Sequence, residues 1–342
     1  MRWLKLVYLL LGSGLLALVL ATTDLEAVLQ QVTRIGWAGV AAVLGIHLLA
    51  FATDVWGWQL TFVTVPASLR WFSRLFLVRM VGEAFNQVSL VGSIGAETIK
   101  AIILKDRYRV RYRESGVSLV LAKTLDLIAL VVFLAVGFGL VLASDRLSAT
   151  FKTLAGTGLA AFAVAVALFV LVQRLKLVSR IAPRLAESRL GGRLGTLIRT
   201  AGDTDEMLAG FYGTRRGRFL SALGAAFLNW PLGVVEIWCL MWFLGRPISL
   251  GDAWIIDSMG QLVTAGTFFV PLGIGVQEGT LVVLCGAITG DPALGLAVSV
   301  VRRFRELVWF LAGLAIWWLL SLGQGAPDTA RATAWEASDE PA

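Results

Sequence analysis

The chain has 342 residues, of which 57% are hydrophobic and 15% are charged, and its formal net charge is +7. With a mean hydropathy of +0.78, this composition excludes a water-soluble globular protein. Apolar runs recur along the chain at the length of about 20 residues that a hydrocarbon layer of about 30 Å requires. The sequence therefore predicts an all-α polytopic membrane protein.

Basic residues gather in a few segments next to the apolar runs, mainly 105–113, 174–199 and 215–218. The positive-inside rule places such segments in the cytoplasm. Because each one adjoins a predicted span, we interpret them as contacts to anionic lipid headgroups rather than to nucleic acid. The chain has two cysteines and one histidine, so we expect no disulfide framework, no metal site and no cofactor.

The first half begins with a predicted span at 6–21, interpreted as a retained helix rather than a signal peptide. An amphipathic external segment, 22–36, precedes a second span at 37–62. The stretch that follows is interrupted by glycines, and its returning part, 96–104, is too short to cross a membrane. It is therefore predicted to be a re-entrant hairpin that enters from the cytoplasm. The next predicted span is 115–141.

The second half repeats this order. Its predicted elements are a span at 151–173, a basic surface segment at 174–217, a span at 218–245, a second hairpin at 252–289, a span at 293–322 and a disordered tail at 323–342. The loop charges place the two hairpins on opposite faces of the membrane, as in the inverted repeats of secondary transporters.

The predicted architecture is thus a single membrane domain, 1–322, with about six full transmembrane helices plus two re-entrant helical hairpins in an inverted repeat. The first repeat covers about 1–145 and the second about 146–322. Both termini are expected in the cytoplasm, and the expected location is the bacterial inner membrane.

A glycine followed by an ion pair occurs in both halves. Lys123 lies 28 residues after Gly95, and Arg303 lies 28 residues after Gly275. In each half an acid follows three residues after the base, at the spacing that puts both side chains on one helix face. Ionisable groups inside apolar spans are costly and suggest function, although structural ion pairs that lock helices together are the alternative.

The second half has more arginines than nearby acids, so we expect surplus positive charge that suits an anionic group. The candidate substrate-binding residues are Glu97, Lys100, Lys123, Asp126, Glu278, Arg302, Arg303, Arg305 and Glu306. The candidate hairpin turns are Gly92, Gly95, Pro271, Gly273 and Gly275. The candidate polar groups of a cavity are Asn86, Gln87, Gln261 and Thr267. Glu278 is expected to approach the arginines from the second hairpin.

These residues resemble the two signature regions of the flippase-like family that also supplies the transmembrane part of lysylphosphatidylglycerol synthases. The first signature reads Asn86, Gly92, Ser93, Ile94, Gly95, Glu97, Lys100, Lys123 and Asp126, and the second reads Pro271, Gly273, Gly275 and Glu278 before an arginine-rich helix. The second region is most similar to the hopanoid-biosynthesis-associated branch. Two departures are Val91, where proline is usual, and the lysines at 100 and 123 in place of arginines.

The resemblance implies movement of a lipid between leaflets, or an accessory role in making or moving lipids. The leading hypothesis is a flippase for an anionic or glycosylated lipid of phospholipid, hopanoid or polyprenyl type. The alternatives are a non-catalytic partner of hopanoid-biosynthesis enzymes and an intramembrane lipid-modifying transferase. We expect no enzyme activity of the synthase kind, because the chain ends soon after its last predicted span and leaves no soluble aminoacyl-transfer domain.

Overall fold

The computed structural model describes residues 25–86, 93–174, 216–267 and 276–322. These residues form nine α-helices and no strand, so the predicted all-α fold is confirmed. In chain order the helices are α1 Leu25–Thr61, α2 Leu69–Asn86, α3 Ser93–Tyr108, α4 Tyr112–Ala143, α5 Ala149–Arg174, α6 Arg216–Phe243, α7 Leu250–Gly266, α8 Val276–Thr289 and α9 Pro292–Leu322.

Five of these helices, α1, α4, α5, α6 and α9, are long and apolar enough to cross a membrane. They correspond to five of the six full spans that the sequence predicts. The remaining predicted span, 6–21, lies outside the described residues, as do the tail and nearly all of the basic segment 174–217. The predicted external segment and the second span are joined in one helix, α1, which kinks at Gly36 with a φ of 68°.

The other four helices form the two hairpins, in which α2 packs on α3 and α7 packs on α8. They contain 18, 16, 17 and 14 residues. At 1.5 Å per residue they are about 21–27 Å long, which is shorter than a hydrocarbon layer of about 30 Å. The returning helix of the first hairpin, α3, is longer than the predicted range 96–104. Helix α3 extends through Lys105 and Arg107 in its last turn, because cations are favourable at a helix C-terminus.

Helices α1 and α6, which are equivalent in the two repeats, pack against each other in opposite directions. A side chain added at Gly39 would lie 3.2 Å from the ring of Phe243, near the end of α6. One added at Gly57 would lie 3.3 Å from the Cβ of Ala225, near its start. The two helices are therefore antiparallel.

The contacts of the hairpins extend this relation to the two charged spans. The first helix of each hairpin runs antiparallel to the span before it. In the first half, the amide of Gln59 near the end of α1 donates to the carbonyl of Ser68, just before α2. In the second half, Gly233 in α6 faces Asp257 in α7. Helix α7 then runs parallel to α4, where Phe133 and Gly137 meet Trp254 and Ser258.

Helix α2 runs parallel to α9 in the same way. Met80 and Phe85 on α2 meet Gly313 and Trp317 on α9, in that order. Helix α2 is antiparallel to α1 and α7 is antiparallel to α6, and α1 and α6 are antiparallel to each other, so α2 and α7 run in opposite directions. Their parallel neighbours, α9 and α4, therefore also run in opposite directions. Equivalent helices of the two halves are thus reversed, as an inverted repeat requires.

Small residues allow the helices to approach closely. A side chain at Gly313 would lie 2.8 Å from the Cβ of Ala84, and one at Gly295 would overlap the backbone of α8 at Leu281. Such contacts provide packing energy between helices in lipid, because the hydrophobic effect does not drive apolar helices together there. The fold therefore depends on close contact along these helices.

Candidate functional site

Seven charged residues from the first four helices form one group of ion pairs, the first-half cluster. Arg79 on α2 donates to Asp54 on α1 at 2.7 Å and to Glu83 one turn later at 2.7 Å. On α3, Lys100 donates to Glu97 at 2.9 Å. On α4, Lys123 and Asp126 form the predicted i,i+3 pair at 3.2 Å.

Lys100 is the buried base of this cluster. Its stem lies against Gly82 of α2, where an added side chain would overlap it. Its ammonium group lies 5.7 Å from the centre of the Trp58 ring, within the range of a cation–π contact. Lys123, in contrast, is 55% exposed, so the two lysines of the candidate site have different surroundings.

The second-half cluster also takes seven charged residues from four helices, α6 to α9. Arg302 donates to Asp257 on α7 at 2.8 Å and lies 3.4 Å from Glu236 on α6. Arg305 also donates to Glu236. Helix α9 therefore places two arginines against the buried acids of two neighbouring helices.

The third arginine, Arg303, bonds the expected partner from the hairpin. Its guanidinium donates to Glu278 on α8 at 2.9 Å and to Glu306 at 3.0 Å. This confirms both the i,i+3 pair and the contact with Glu278 that the sequence predicts. Arg302 and Glu306 are four residues apart on α9 but do not form an ion pair, because Arg302 faces Asp257 and Glu236 instead.

The expected surplus of positive charge is wrong for the described residues. The first-half cluster has the bases Arg79, Lys100 and Lys123 and the acids Asp54, Glu83, Glu97 and Asp126. The second-half cluster has the bases Arg302, Arg303 and Arg305 and the acids Glu236, Asp257, Glu278 and Glu306. Each cluster therefore has one more acid than bases, because helices distant in sequence supply acids that local spacing does not reveal.

A cavity of about 290 Å³ lies between α1 and the helices of the second half. Its polar lining consists of His47, Asn229, Trp230, Glu236, Asp257, Gln261, Thr264, Gln277, Arg302, Arg305 and Glu306. Of the candidate site residues, Arg302, Arg305 and Glu306 line it, as does Gln261 among the candidate polar groups. The cavity is thus a polar space inside a bundle of apolar helices.

His47 lies near charged residues of both clusters. It lines the cavity, its ring lies 5.3 Å from that of Trp309, and it is within electrostatic range of charges from both halves. Those charges are Arg79 and Glu83 on one side and Glu236 and Arg305 on the other. This side chain of α1 therefore lies between the two clusters.

A second cavity, of about 800 Å³, lies on the other side of the α7–α8 hairpin, between that hairpin and α5. We call it the apolar groove, because side chains such as Phe151, Phe162, Leu262 and Val283 line it. Thr267, a candidate cavity residue, lies in this groove and not in the polar cavity. The hairpin therefore separates a polar compartment from an apolar one.

Several predicted residues are placed elsewhere. Gln87, Gly92, Pro271, Gly273 and Gly275 lie outside the described residues. Asn86 is the last residue of α2, and Gly95 is the third residue of α3, in its first turn. In the part of the chain that the structure describes, no three histidine, cysteine, aspartate or glutamate side chains are grouped as metal ligands.

Three acids within the bundle are absent from the predicted site: the half-buried Asp54 and the buried Glu236 and Asp257. Each is the single charged residue in an otherwise apolar run, and an ionisable residue within a span is itself a sign of function. Their position within apolar runs is therefore a sign of function that the sequence contains, but the three acids lie outside the repeated glycine-and-ion-pair pattern. Only the packing of the helices shows that they are the partners of Arg79 and Arg302.

The fold and the paired charges define a multi-pass helical membrane protein with a polar cavity between its helices. The model of the family described as lysylphosphatidylglycerol synthase TM region matches residues 5–315, and the chain belongs to that family. No curated protein and no solved structure matches the chain. Family membership relates the protein to lipid handling at the membrane.

Proposed function

We propose that the protein is a transporter that moves a lipid between the two leaflets of the bacterial inner membrane, with the lipid's headgroup passing through the polar cavity. The observation that carries this proposal is the cavity itself. Ionisable side chains at this depth cost free energy, and a chain that needed only a stable bundle would place apolar residues there. Their concentration around one open space favours a path for a polar group.

The apolar groove supports the same proposal. A lipid has one polar and one apolar part, and the α7–α8 hairpin has a polar cavity on one side and an apolar groove on the other. Both compartments include residues near the ends of the hairpin helices, such as Thr264 and Gln277 for the cavity and Thr267 and Val276 for the groove. A lipid that straddles this end would keep each part in a matching environment.

The inverted repeat is the third support. In secondary transporters, a site between two inverted halves is opened alternately to the two sides by movement of one half against the other. Here His47 lies within electrostatic range of charges from both clusters. We propose transport rather than catalysis as the activity, and an anionic or glycosylated lipid of phospholipid, hopanoid or polyprenyl type as the substrate.

The proposal is tested by reconstituting the full chain in liposomes with lipids that carry a fluorescent label on an acyl chain. A membrane-impermeant quencher then reports the label's movement between leaflets. We expect movement faster than in protein-free liposomes for at least one lipid. Glu306→Gln should slow it at least tenfold, because this acid lines the cavity and holds Arg303. An exposed carboxylate away from the cavity provides the control, Asp106→Asn, which should leave the rate unchanged.

Correctly folded protein that moves no member of a set of phospholipid, glycolipid, hopanoid and polyprenyl lipids would contradict transport. Equal rates for Glu306→Gln and the wild type would contradict the placement of the path in the cavity.

A further inference from the structure

The two threonines of the apolar groove do not make it polar. The hydroxyl of Thr267 donates to the carbonyl oxygen of Val263 at 2.8 Å, and the hydroxyl of Thr280 donates to that of Val276 at 2.6 Å. Both hydroxyl hydrogens are therefore used within their own helices. All the other lining residues are apolar, so the groove suits a hydrocarbon group.

The groove is open to the lipid around the protein. Leu154 and Val283, which line it, are 66% and 63% exposed. Small residues leave the space inside, since a Cβ added at Gly266 on α7 or at Gly279 on α8 would meet no atom within 4 Å. A hydrocarbon chain from the bilayer can therefore reach the lining directly.

The groove has the length of one leaflet. Its lining on α5 extends from Phe151, in the first turn of that span, to Phe162. Eleven residues at 1.5 Å each correspond to about 16 Å. One leaflet of a hydrocarbon layer of about 30 Å is about 15 Å thick. The groove therefore extends from near one membrane surface to about the middle of the membrane.

The contact of Arg146 shows which end of the groove is the deep one. Arg146 lies just before α5, and its guanidinium donates to the carbonyl oxygen of Ile288, near the end of α8. The surface at which α5 begins is therefore also the surface at which α8 ends. Val276, at the start of α8, is twelve residues or about 18 Å from Ile288, so its end of the groove lies near the middle of the membrane.

The polar cavity adjoins the groove at this deep end. Gln277 lines the cavity, and the residue before it, Val276, lines the groove. On α7, Thr264 lines the cavity, and Thr267, three residues later, lines the groove. A lipid with its headgroup in the cavity can therefore extend a hydrocarbon chain into the groove from the deep end.

A headgroup that moves into the membrane also moves the chains attached to it. In a leaflet at rest, the headgroup lies at the surface and the chain ends lie near the middle of the membrane. A headgroup at the depth of Val276 has shifted by about the thickness of one leaflet, or about 15 Å. Its chains then need an apolar path beyond the middle of the membrane, and the groove provides a path of that length.

A transmembrane helix, either the predicted span 6–21 or one from a second copy of the chain, is the alternative occupant. A helix 10–12 Å wide and about 16 Å long has a volume of roughly 1,300–1,800 Å³. The groove holds about 800 Å³, so a helix would not fit inside it. A hydrocarbon chain is thinner than a helix and adapts to the shape of the groove.

We infer that the apolar groove holds a hydrocarbon chain of the transported lipid in the direction opposite to that of the lipids around it. The chain enters at the deep end, and its terminal methyl group points to the surface at which α5 begins. In the surrounding leaflet, the chain ends point to the middle of the membrane. The inference rests on the proposed transport function for its identification of the lipid as the transported one.

Photochemical labelling in liposomes tests this direction. Phosphatidylethanolamine, phosphatidylglycerol and monoglucosyldiacylglycerol are each prepared with a diazirine either beside the ester group or at the chain end. Each probe is added in trace amounts to phosphatidylcholine liposomes that contain the full chain, and mass spectrometry of peptides locates the adducts. For at least one lipid, we expect the ester-side diazirine to label residues 276–280 at least fivefold more than residues 151–155. The chain-end diazirine should show the opposite preference.

Lipid that only coats the protein gives the reverse of this order, because its ester groups lie at the surface. That reverse order for all three lipids would overturn the inference. Absence of adducts at both ends of the groove would also overturn it, and is the result expected if a helix covers the groove.

A groove-filling variant provides the second test. The double variant Gly266→Leu with Gly279→Leu places side chains in the groove where a Cβ meets no neighbour, and leucine favours a helix more than glycine does. It should lose the expected labelling order and move lipid at least tenfold more slowly. Gly224→Leu, at an exposed position of α6 with equally free space, is the matched control and should change neither. Wild-type labelling and movement in a double variant with a normal thermal midpoint would overturn the inference.

The labelling and the liposome assay fail independently. The expected labelling order without movement of any lipid would remove the transport function and leave the groove as a lipid-binding site. Movement of a lipid that shows only the order of the coating lipid would keep transport and remove the inferred place of its chain.

Discussion

At the scale of single residues, Arg302 shows how a charge is kept inside the bundle. Its side chain is 9% exposed, and its guanidinium lies between Asp257 and Glu236, which are supplied by two other helices. Removing two charges from water costs about as much free energy as their mutual attraction provides, so a buried ion pair by itself is weak evidence for stability. Losing one partner is different, because the remaining charges are then buried without compensation.

Arg302→Met is therefore expected to destabilise the protein by about 3–5 kcal/mol, since it leaves the buried carboxylate of Asp257 without its cation and Glu236 with Arg305 alone. Thermal unfolding in detergent, followed by circular dichroism, measures the change as a lower midpoint. The matched control is Arg146→Met, whose ion pair with Asp252 is 58% exposed on the arginine side. That change should cost only about 0–1 kcal/mol. Similar midpoints for the two variants would show that Arg302 is not the cation that balances these acids.

At the scale of helices, the hairpins are fixed by close backbone contact with the spans. Gly295 lies near the start of α9, where a Cβ would overlap the carbonyl oxygen of Leu281 and lie 2.6 Å from the Cα of Val282. The obstacle is the backbone of α8, which cannot rotate away as a side chain can. The position of the hairpin, and with it the distance between Glu278 and Arg303, depends on this contact.

Gly295→Ala should lower stability by about 1–3 kcal/mol or more, because α8 and α9 must separate to admit the methyl group. The thermal midpoint in detergent and the elution profile on size exclusion measure the effect. Gly139→Ala is the control, since that position in α4 has no neighbouring atom within 4 Å of an added Cβ. There alanine should be neutral or stabilising by about 0.5–1 kcal/mol. A Gly295→Ala protein as stable as the control variant would contradict this packing.

At the scale of the whole molecule, the reversed directions of α4 and α9 give the two halves opposite orientations. Both helices begin just after a hairpin, α4 at Tyr112 and α9 at Pro292. In a membrane their first residues therefore lie at opposite surfaces. The basic loop before α4 is expected in the cytoplasm by the positive-inside rule, which places the start of α9 outside.

Cysteine labelling in cells measures this orientation. In a background with Cys239→Ala and Cys285→Ala, a membrane-impermeant maleimide should label Ala293→Cys in intact cells. It should label Arg111→Cys only after the cells are opened. Both positions are exposed, so labelling after lysis is the internal control for each. Labelling of both positions from the same side would contradict the inverted repeat.

The sequence by itself determined the class of protein and much of the site. Apolar runs of the length of a bilayer predicted the long helices, and the spacing of Lys123 to Asp126 and of Arg303 to Glu306 predicted pairs that depend only on helix geometry. Glycines and short apolar stretches also predicted the two hairpins. These features are local, so they follow from residues close together in the chain.

Only the tertiary structure decided the charge of the site and the composition of the cavity. Asp54, Glu236 and Asp257 are distant in sequence from the bases that they neutralise, so no local pattern indicated that the positive charge is balanced. The placement of His47 near charges of both clusters likewise depends on the antiparallel packing of α1 and α6. Pairing between distant helices is set by packing, which spacing along one helix does not encode.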